Sequence, residues 1–252
     1  MTRQKKILPT IISNGWLLKS EKIDELFGAG LANLGLSFQS WDAAEHDKRV
    51  NKNGAYDRLM SALMYCIDMK YPASICAVPT NKNIHNGDFQ SLIDFAVEHN
   101  LRVNINLPAL TGNLSGKDSE ILTDESFEIL KDQYFNLDNV LPDFKMSLAG
   151  LNVWCPMGET VVYIMPDGDV CPCTFTQVSF GNILTEDIKK ILKIMRSSKL
   201  LGSIVRAGQC PISMDQEFIK TVEKIKSSDP ENYPPRWDEF CRNVHEPSEI
   251  GQ

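Results

Sequence analysis

Between residues 7 and 107 short extended apolar runs alternate with stretches whose apolar side chains recur every three or four residues. That alternation predicts βα units and a parallel sheet. The first run, Ile7 to Ser13, stops at the Asn14-Gly15 turn, and Ile23, Leu26 and Phe27 then mark one face of a helix. The second run is Leu34 to Phe38. A polar loop holding His46, Asp47 and Arg49 follows, then a helical stripe of Tyr56, Leu59, Met60, Leu63 and Ile67, with Cys66 beside it as a core residue. Ala73 to Val78 reads as a third strand with Cys76 buried in it. Phe89, Leu92, Ile93 and Ala96 share one helical face, and Leu101 to Leu107 gives a fourth strand. Right-handed crossovers lay these strands side by side in order.

The strand phases carry chemistry. Ser37 and Gln39 fall on one face and Leu36 and Phe38 on the other; Asn104 and Asn106 are split in the same way from Val103, Ile105 and Leu107. A parallel sheet buried on both faces reads as a continuous apolar run. One polar face instead suits a curved sheet whose concave side faces a ligand cavity, open at the C-terminal strand ends.

Past a polar, Gly-containing loop, a helix from Asp124 is expected to bury Phe127, Leu130, Tyr134 and Leu137, and Pro142 ends a linker. The pattern then changes. Val161-Val162-Tyr163-Ile164 is β-branched and aromatic, Pro166-Asp167-Gly168-Asp169 is a turn, and Asp169-Val170 resumes an extended run, which together predict a hairpin. Cys155 precedes it, Cys171 and Cys173 leave it, and Cys210 follows. Such spacing fits thiolates gathered on a metal, either zinc in a four-thiolate site or an iron-sulfur cluster. After Gly181-Asn182, a helix from Glu186 carries Ile188, Ile191, Leu192 and Met195 as a core stripe. A short amphipathic helix with Phe218, Val222 and Ile225 and a Pro-rich tail with Cys241 and His245 complete the chain.

Composition narrows the class. The 252 residues are 42% hydrophobic and 23% charged, which is ordinary globular protein. A formal net charge of −7 argues against a nucleic-acid partner. No apolar run is long enough to span a membrane, and the apolar stretch after Met1-Thr-Arg-Gln-Lys-Lys6 is too short for a signal peptide. Seven cysteines without an export signal predict a reducing, cytoplasmic setting.

Cys155-Pro-Met-Gly158, Ile164-Met-Pro-Asp-Gly-Asp-Val170, Pro172-Cys173-Thr-Phe175 and Gly181-Asn182-Ile183 stand in the order of the auxiliary-cluster module, SPASM or its shorter Twitch form, of radical S-adenosylmethionine (radical SAM) enzymes. The chain resembles that family. Ser13-Asn14-Gly15 resembles the end of the third strand of the family's barrel. Leu36-Ser37-Phe-Gln-Ser-Trp-Asp42, with His46-Asp47 and Gly54-Ala-Tyr, is similar to the fourth strand and the loop beyond. The resemblance implies an α/β fold: a partial parallel (βα) barrel of the radical SAM type over 1–141, then a small Cys-rich α+β auxiliary-cluster domain over 142–252. It further implies a [4Fe-4S] cluster on Cys155, Cys173 and Cys210; Cys171 is the expected fourth ligand, with Cys241 or another group as the alternative. Cys171 stands where the family usually has a non-ligand. S-adenosylmethionine would lie, in a complete chain, at Ser13, Asn14, Ser37, Gln39, Asn104 and Asn106. Such enzymes cleave it reductively to a 5′-deoxyadenosyl radical that abstracts a substrate hydrogen, which implies a peptide or small-molecule substrate and a reductant such as flavodoxin or ferredoxin. The Cys-x-x-x-Cys-x-x-Cys loop that holds the family's SAM-cleaving cluster does not occur in these 252 residues. The chain is therefore expected to be inactive alone; other readings are a non-catalytic iron-sulfur protein for electron transfer or partner binding, and a zinc-stabilised structural domain.

Overall fold

A computed structural model describes residues 7–108, 122–142, 157–158, 160–174, 176–198, 234 and 236. The chain divides into two compact units, one holding Met1–Pro108 and Leu114–Asp143, the other Ala109–Asn113 and Phe144–Gln252.

In the first unit β1 (Thr10–Ser13), β2 (Asn33–Phe38), β3 (Ala73–Ala77), β4 (Arg102–Ile105) and β5 (Val140–Pro142) form one sheet in sequence order, every neighbouring pair parallel. Register decides which side chains share a face, because alternate residues of a strand point to opposite sides. Leu36 pairs with Ile75, Phe38 with Ala77, and these with Val103 and Ile105, so one face is continuous hydrocarbon. All of these residues are at most 2% exposed. Three helices cover that face: α1 (Ser20–Gly28) buries Ile23, α3 (Ala55–Asp68) buries Leu59, Ala62, Leu63 and Cys66, and α5 (Asp88–Glu98) buries Phe89, Leu92, Ile93 and Ala96. Each fully buried Leu, Ile or Phe contributes about 1.5–3 kcal/mol, so this layer is the stability core.

The other face carries Ser37, Cys76 and Asn104 in one row across β2, β3 and β4, with Gly35, Ser74 and Arg102 in the next. Asn33 Nδ2 donates to Ser74 Oγ at 2.9 Å, and Asn104 Nδ2 lies 3.8 Å from Cys76 Sγ. Space is tight at Gly35, where an added Cβ would lie 3.0 Å from Cys76 Sγ and 3.3 Å from Ile12 Cγ1.

Three elements depart from the sequence expectation. The polar stretch after β2 is a helix, α2 (Ala43–Val50), whose Asp42 N-cap accepts the Glu45 N–H at 2.8 Å and whose one buried residue is His46. A short α4 (Asn81–His85) opens with a capping box between Thr80 and Asn83. Val140–Pro142, expected as linker, is the fifth strand, entered after α6 (Asp124–Tyr134), which buries Ser126, Leu130 and Tyr134.

The second unit contains the expected hairpin, though β6 (Tyr163–Ile164) and β7 (Val170–Cys171) are two residues each. Gly168 at its tip has φ +95°, a conformation glycine adopts without strain. Residues 180–183 add themselves to the free side of β7: Phe180 N–H donates to Val170 O, Val170 N–H to Gly181 O, both at 2.9 Å, and Ile183 N–H to Gly168 O at 3.0 Å. Asn182 Nδ2 reaches Asp167 O at 3.0 Å, tying this segment to the turn. Helix α7 (Ile188–Arg196), capped by Asp187, then buries Ile191 and Met195.

Candidate functional site

Parallel α/β sheets place ligands at the C-terminal ends of their strands, where the chain turns from strand to helix. After β1, Ser13 Oγ accepts the Gly15 N–H and Asn14 Oδ1 the Trp16 N–H, both at 3.1 Å. Gly15 is required there, since its φ is +75° and a Cβ would sit 2.9 Å from Leu59 Cα. Two cations lie over the Trp16 ring, Lys52 Nζ at 4.4 Å and Arg58 at 4.3 Å from its centre. A cleft of about 300 Å³ opens beside it, lined by Asn14, Trp16, His46 and Lys52 among others.

After β2, Gln39 and Ser40 border a second cleft of about 320 Å³, closed on its far side by Thr80, Lys82 and Asp88. The Asp88 carboxylate accepts the Ser40 hydroxyl at 3.0 Å and the Asp42 N–H at 2.7 Å, which fixes this loop to the first turn of α5. Lys82 and Glu45 form an ion pair at 2.7 Å, and the Lys82 ammonium holds the Glu45 carboxyl below its usual value.

His46 organises the region from beneath. It is 1% exposed, packed against the rings of Phe38 and Tyr56, and its Nδ1 accepts the Gln39 N–H at 3.2 Å. Accepting at Nδ1 assigns its proton to Nε2, and burial pulls its pKa down, so the ring is neutral. Asp47 beside it accepts the N–H groups of Gly54 and Tyr56 and so caps α3 from outside; the Tyr56 N–H, above all, holds its carboxyl below the ordinary range.

The sequence-predicted cofactor residues are thus only partly gathered. Ser37 and Asn104 stand in one row on the polar face, Gln39 lines one cleft and Asn14 the other. Asn106, half-buried just past β4, donates its backbone N–H to Ala77 O at 2.8 Å. Ser13 pairs with Leu36 and so has the phase opposite to Ser37, with its hydroxyl already engaged by Gly15. Sequence reasoning passed over Ser40, Asp88 and Trp16, which show no periodicity; the polar run after β2 was the available signal for His46.

In the second unit Cys155, Cys210 and Cys241 lie outside the described residues. Cys171 and Cys173 differ sharply. The Cys171 side chain is 0% exposed, and burial, reinforced by the Asp169 carboxylate, pushes its thiol up to about 12. Cys173 is half-buried, and its Sγ accepts the Thr176 N–H at 3.2 Å. An N–H aimed at sulfur offsets thiolate charge. Cys173 therefore fits a cluster or metal ligand.

A family model described as SPASM, iron-sulfur cluster-binding domain, matches residues 155–212, the span from Cys155 through Cys210. Residues 155–212 are a SPASM domain. Among curated proteins the chain is similar to the PqqA peptide cyclase of Bradyrhizobium diazoefficiens, 25% identical over 174 residues, which cover 65% of this chain and 45% of that protein. Among solved structures it is similar to Streptococcus suis SuiB, with TM-score 0.61 and 19% identity over 81% of this chain and 52% of SuiB. SuiB has also been solved with S-adenosylmethionine and with its precursor peptide SuiA. Native anSMEcpe with bound AdoMet matches with TM-score 0.57 and 15% identity, over 80% of this chain and 59% of that one. The chain spans about half the length of these proteins. With these proteins the chain shares its fold, and its parallel α/β sheet is followed in sequence by the SPASM domain.

Proposed function

We propose that this chain supplies the sheet-end cavity and the auxiliary [4Fe-4S] cluster of a radical SAM enzyme that modifies a peptide, with Cys155, Cys173 and Cys210 as cluster ligands. The observation that carries the reading is the contrast between the two adjacent cysteines of the SPASM domain. A sulfur with no face open to a water-sized sphere has no room for an iron, and Cys171 is such a sulfur. Cys171 is accordingly read as a packed core thiol, which argues against both its role as fourth cluster ligand and a zinc site built on Cys155, Cys171, Cys173 and Cys210.

In this reading the cluster, when bound, holds substrate or accepts an electron. Cys173 presents a sulfur already bonded by the Thr176 N–H. At the strand ends Ser37, Gln39 and Asn104 offer hydroxyl and amide groups to the polar parts of S-adenosylmethionine. His46 keeps the Gln39 backbone in place as a neutral acceptor. The peptide class of substrate follows the relatives, one a peptide cyclase and one solved with a precursor peptide. A flavodoxin or ferredoxin would supply electrons.

The test is anaerobic reconstitution of the chain with iron and sulfide, followed by metal analysis. About four irons and four sulfides per chain are expected for one such cluster. Stoichiometric zinc with no iron would replace the cluster by a structural site.

A further inference from the structure

Two cations of the first unit are gathered without a counter-ion. Lys52 and Arg58 are exposed, and neither forms an ion pair among the described residues, whereas Lys22, Lys82 and Lys131 each hold a glutamate. Each stands within 4.4 Å of the centre of the Trp16 ring, so the two charges are closer than the Debye length of about 10 Å in 0.1 M salt and repel one another. In a chain of formal net charge −7 this is a local reversal of sign.

The half-buried ring that gathers them is fixed through its own backbone. Asn14 Oδ1 accepts the Trp16 N–H at 3.1 Å, and Arg58 Nη1 donates to the Trp16 carbonyl at 3.3 Å, which spends one of the guanidinium's five N–H donors. The cleft of about 300 Å³ beside the ring adds Val50 and Ala55 as apolar lining and Asn14 and Lys52 as polar lining, and no carboxylate faces it. The cleft after β2, by contrast, is bordered by Asp42, Glu45 and Asp88. Its volume lies at the small end of the range for ligand sites, which suits one side chain and its flanking peptide groups.

We propose that the Trp16 cleft is a subsite for an acidic residue of the peptide substrate, whose aliphatic stem lies against Trp16 and Val50 and whose carboxylate binds Lys52 and Arg58. The proposal rests on the peptide-modifying reading above and names the side-chain class that such a peptide carries. A carboxylate there relieves the repulsion between the two cations and forms charge-assisted hydrogen bonds with both.

The test titrates the full 252-residue chain, labelled with nitrogen-15, with acetyl-Gly-Glu-Gly-amide and with acetyl-Gly-Gln-Gly-amide. The reporter is the Trp16 indole N–H signal, identified by its loss in Trp16→Phe. The Glu tripeptide is expected to move that signal saturably, and the Gln tripeptide to bind about tenfold more weakly. Lys52→Gln and Arg58→Gln should each weaken the Glu tripeptide about threefold to fivefold, the scale of one exposed ion pair, while Lys52→Arg retains it. Three results overturn the proposal: equal affinity for the two tripeptides, unchanged binding when Lys52→Gln and Arg58→Gln are combined, or displacement of the Glu tripeptide by S-adenosylmethionine, which would make the cleft part of the cofactor site. Iron uptake is scored separately. A chain that binds the Glu tripeptide here but takes up no iron keeps the subsite and overturns the cluster reading, and one that takes up iron but does not bind the tripeptide overturns the subsite alone.

Discussion

Replacing Cys171 and Cys173 one at a time by alanine separates packing from ligation in a single experiment. Cys171 is completely enclosed, so Cys171→Ala exchanges its sulfur for a void about the size of a methyl group. Such a void costs about 1 kcal/mol. For a chain of this size the cost appears as a fall in melting temperature of about 2–4 °C. Cys173 is only half-buried, so Cys173→Ala should cost the metal-free chain less, about 0.5 kcal/mol. Metal content should run the other way: Cys171→Ala keeps the full iron and sulfide of the parent after anaerobic reconstitution, and Cys173→Ala loses most of both. Calorimetry of the metal-free chains and colorimetric iron and sulfide assays read the two axes independently. Iron lost from Cys171→Ala and kept by Cys173→Ala would refute the argument that an enclosed sulfur cannot ligate.

Stability should fall as pH drops below about 6.5, where the unfolded chain protonates His46 and the folded chain, with its lowered pKa, does not. His46→Gln should flatten that dependence in urea midpoints taken at about pH 7.5 and 5.5; equal slopes in both proteins would exclude His46 as its source. Gly168→Ala forces an L side chain into φ +95° with its Cβ 2.7 Å from Asn182 Oδ1. It should therefore destabilise the second unit by about 1–2 kcal/mol or more, read as faster hydrogen exchange at Val170 and Ile183. Mixed with S-adenosylmethionine and a strong reductant, the 252-residue chain, which contains no Cys-x-x-x-Cys-x-x-Cys, should form no 5′-deoxyadenosine above background. Formation that Cys173→Ala abolishes would show that the SPASM-domain site performs the cleavage.

Elements with a strong apolar period were legible in the sequence. The alternation of Leu34, Leu36 and Phe38 with polar neighbours gave both the strand and its buried face, and the stripe from Leu59 to Cys66 gave α3. Helix α2 was not legible, because it buries one residue, a histidine, and is held by the Asp42 cap instead of an apolar stripe. Strand β5 is three residues long and ends in proline, too short for a period-two pattern to register. The hairpin tip at Gly168 was legible because a turn demands particular residue types. The divergence of Cys171 and Cys173 was not, since Cys171 ends β7 and Cys173 lies in the bend beyond it, where no strand period applies. Ser13 shows the same limit: a polar residue at a strand end has a face only once its partner, Leu36, is known.

The three-way pairing around β7 bears on how the SPASM domain acquires a metal. Hydrogen bonds from Met165 to Asp169, from Val170 to Gly181 and from Ile183 to Gly168 close the turn and its neighbour by backbone alone. No thiolate takes part in these bonds, so the closure of the turn does not itself call for a metal. At this turn the ordering entropy that a zinc finger recovers from its metal is met by peptide groups, so a metal bound beside Cys173 would fill a socket more than fold a chain around itself.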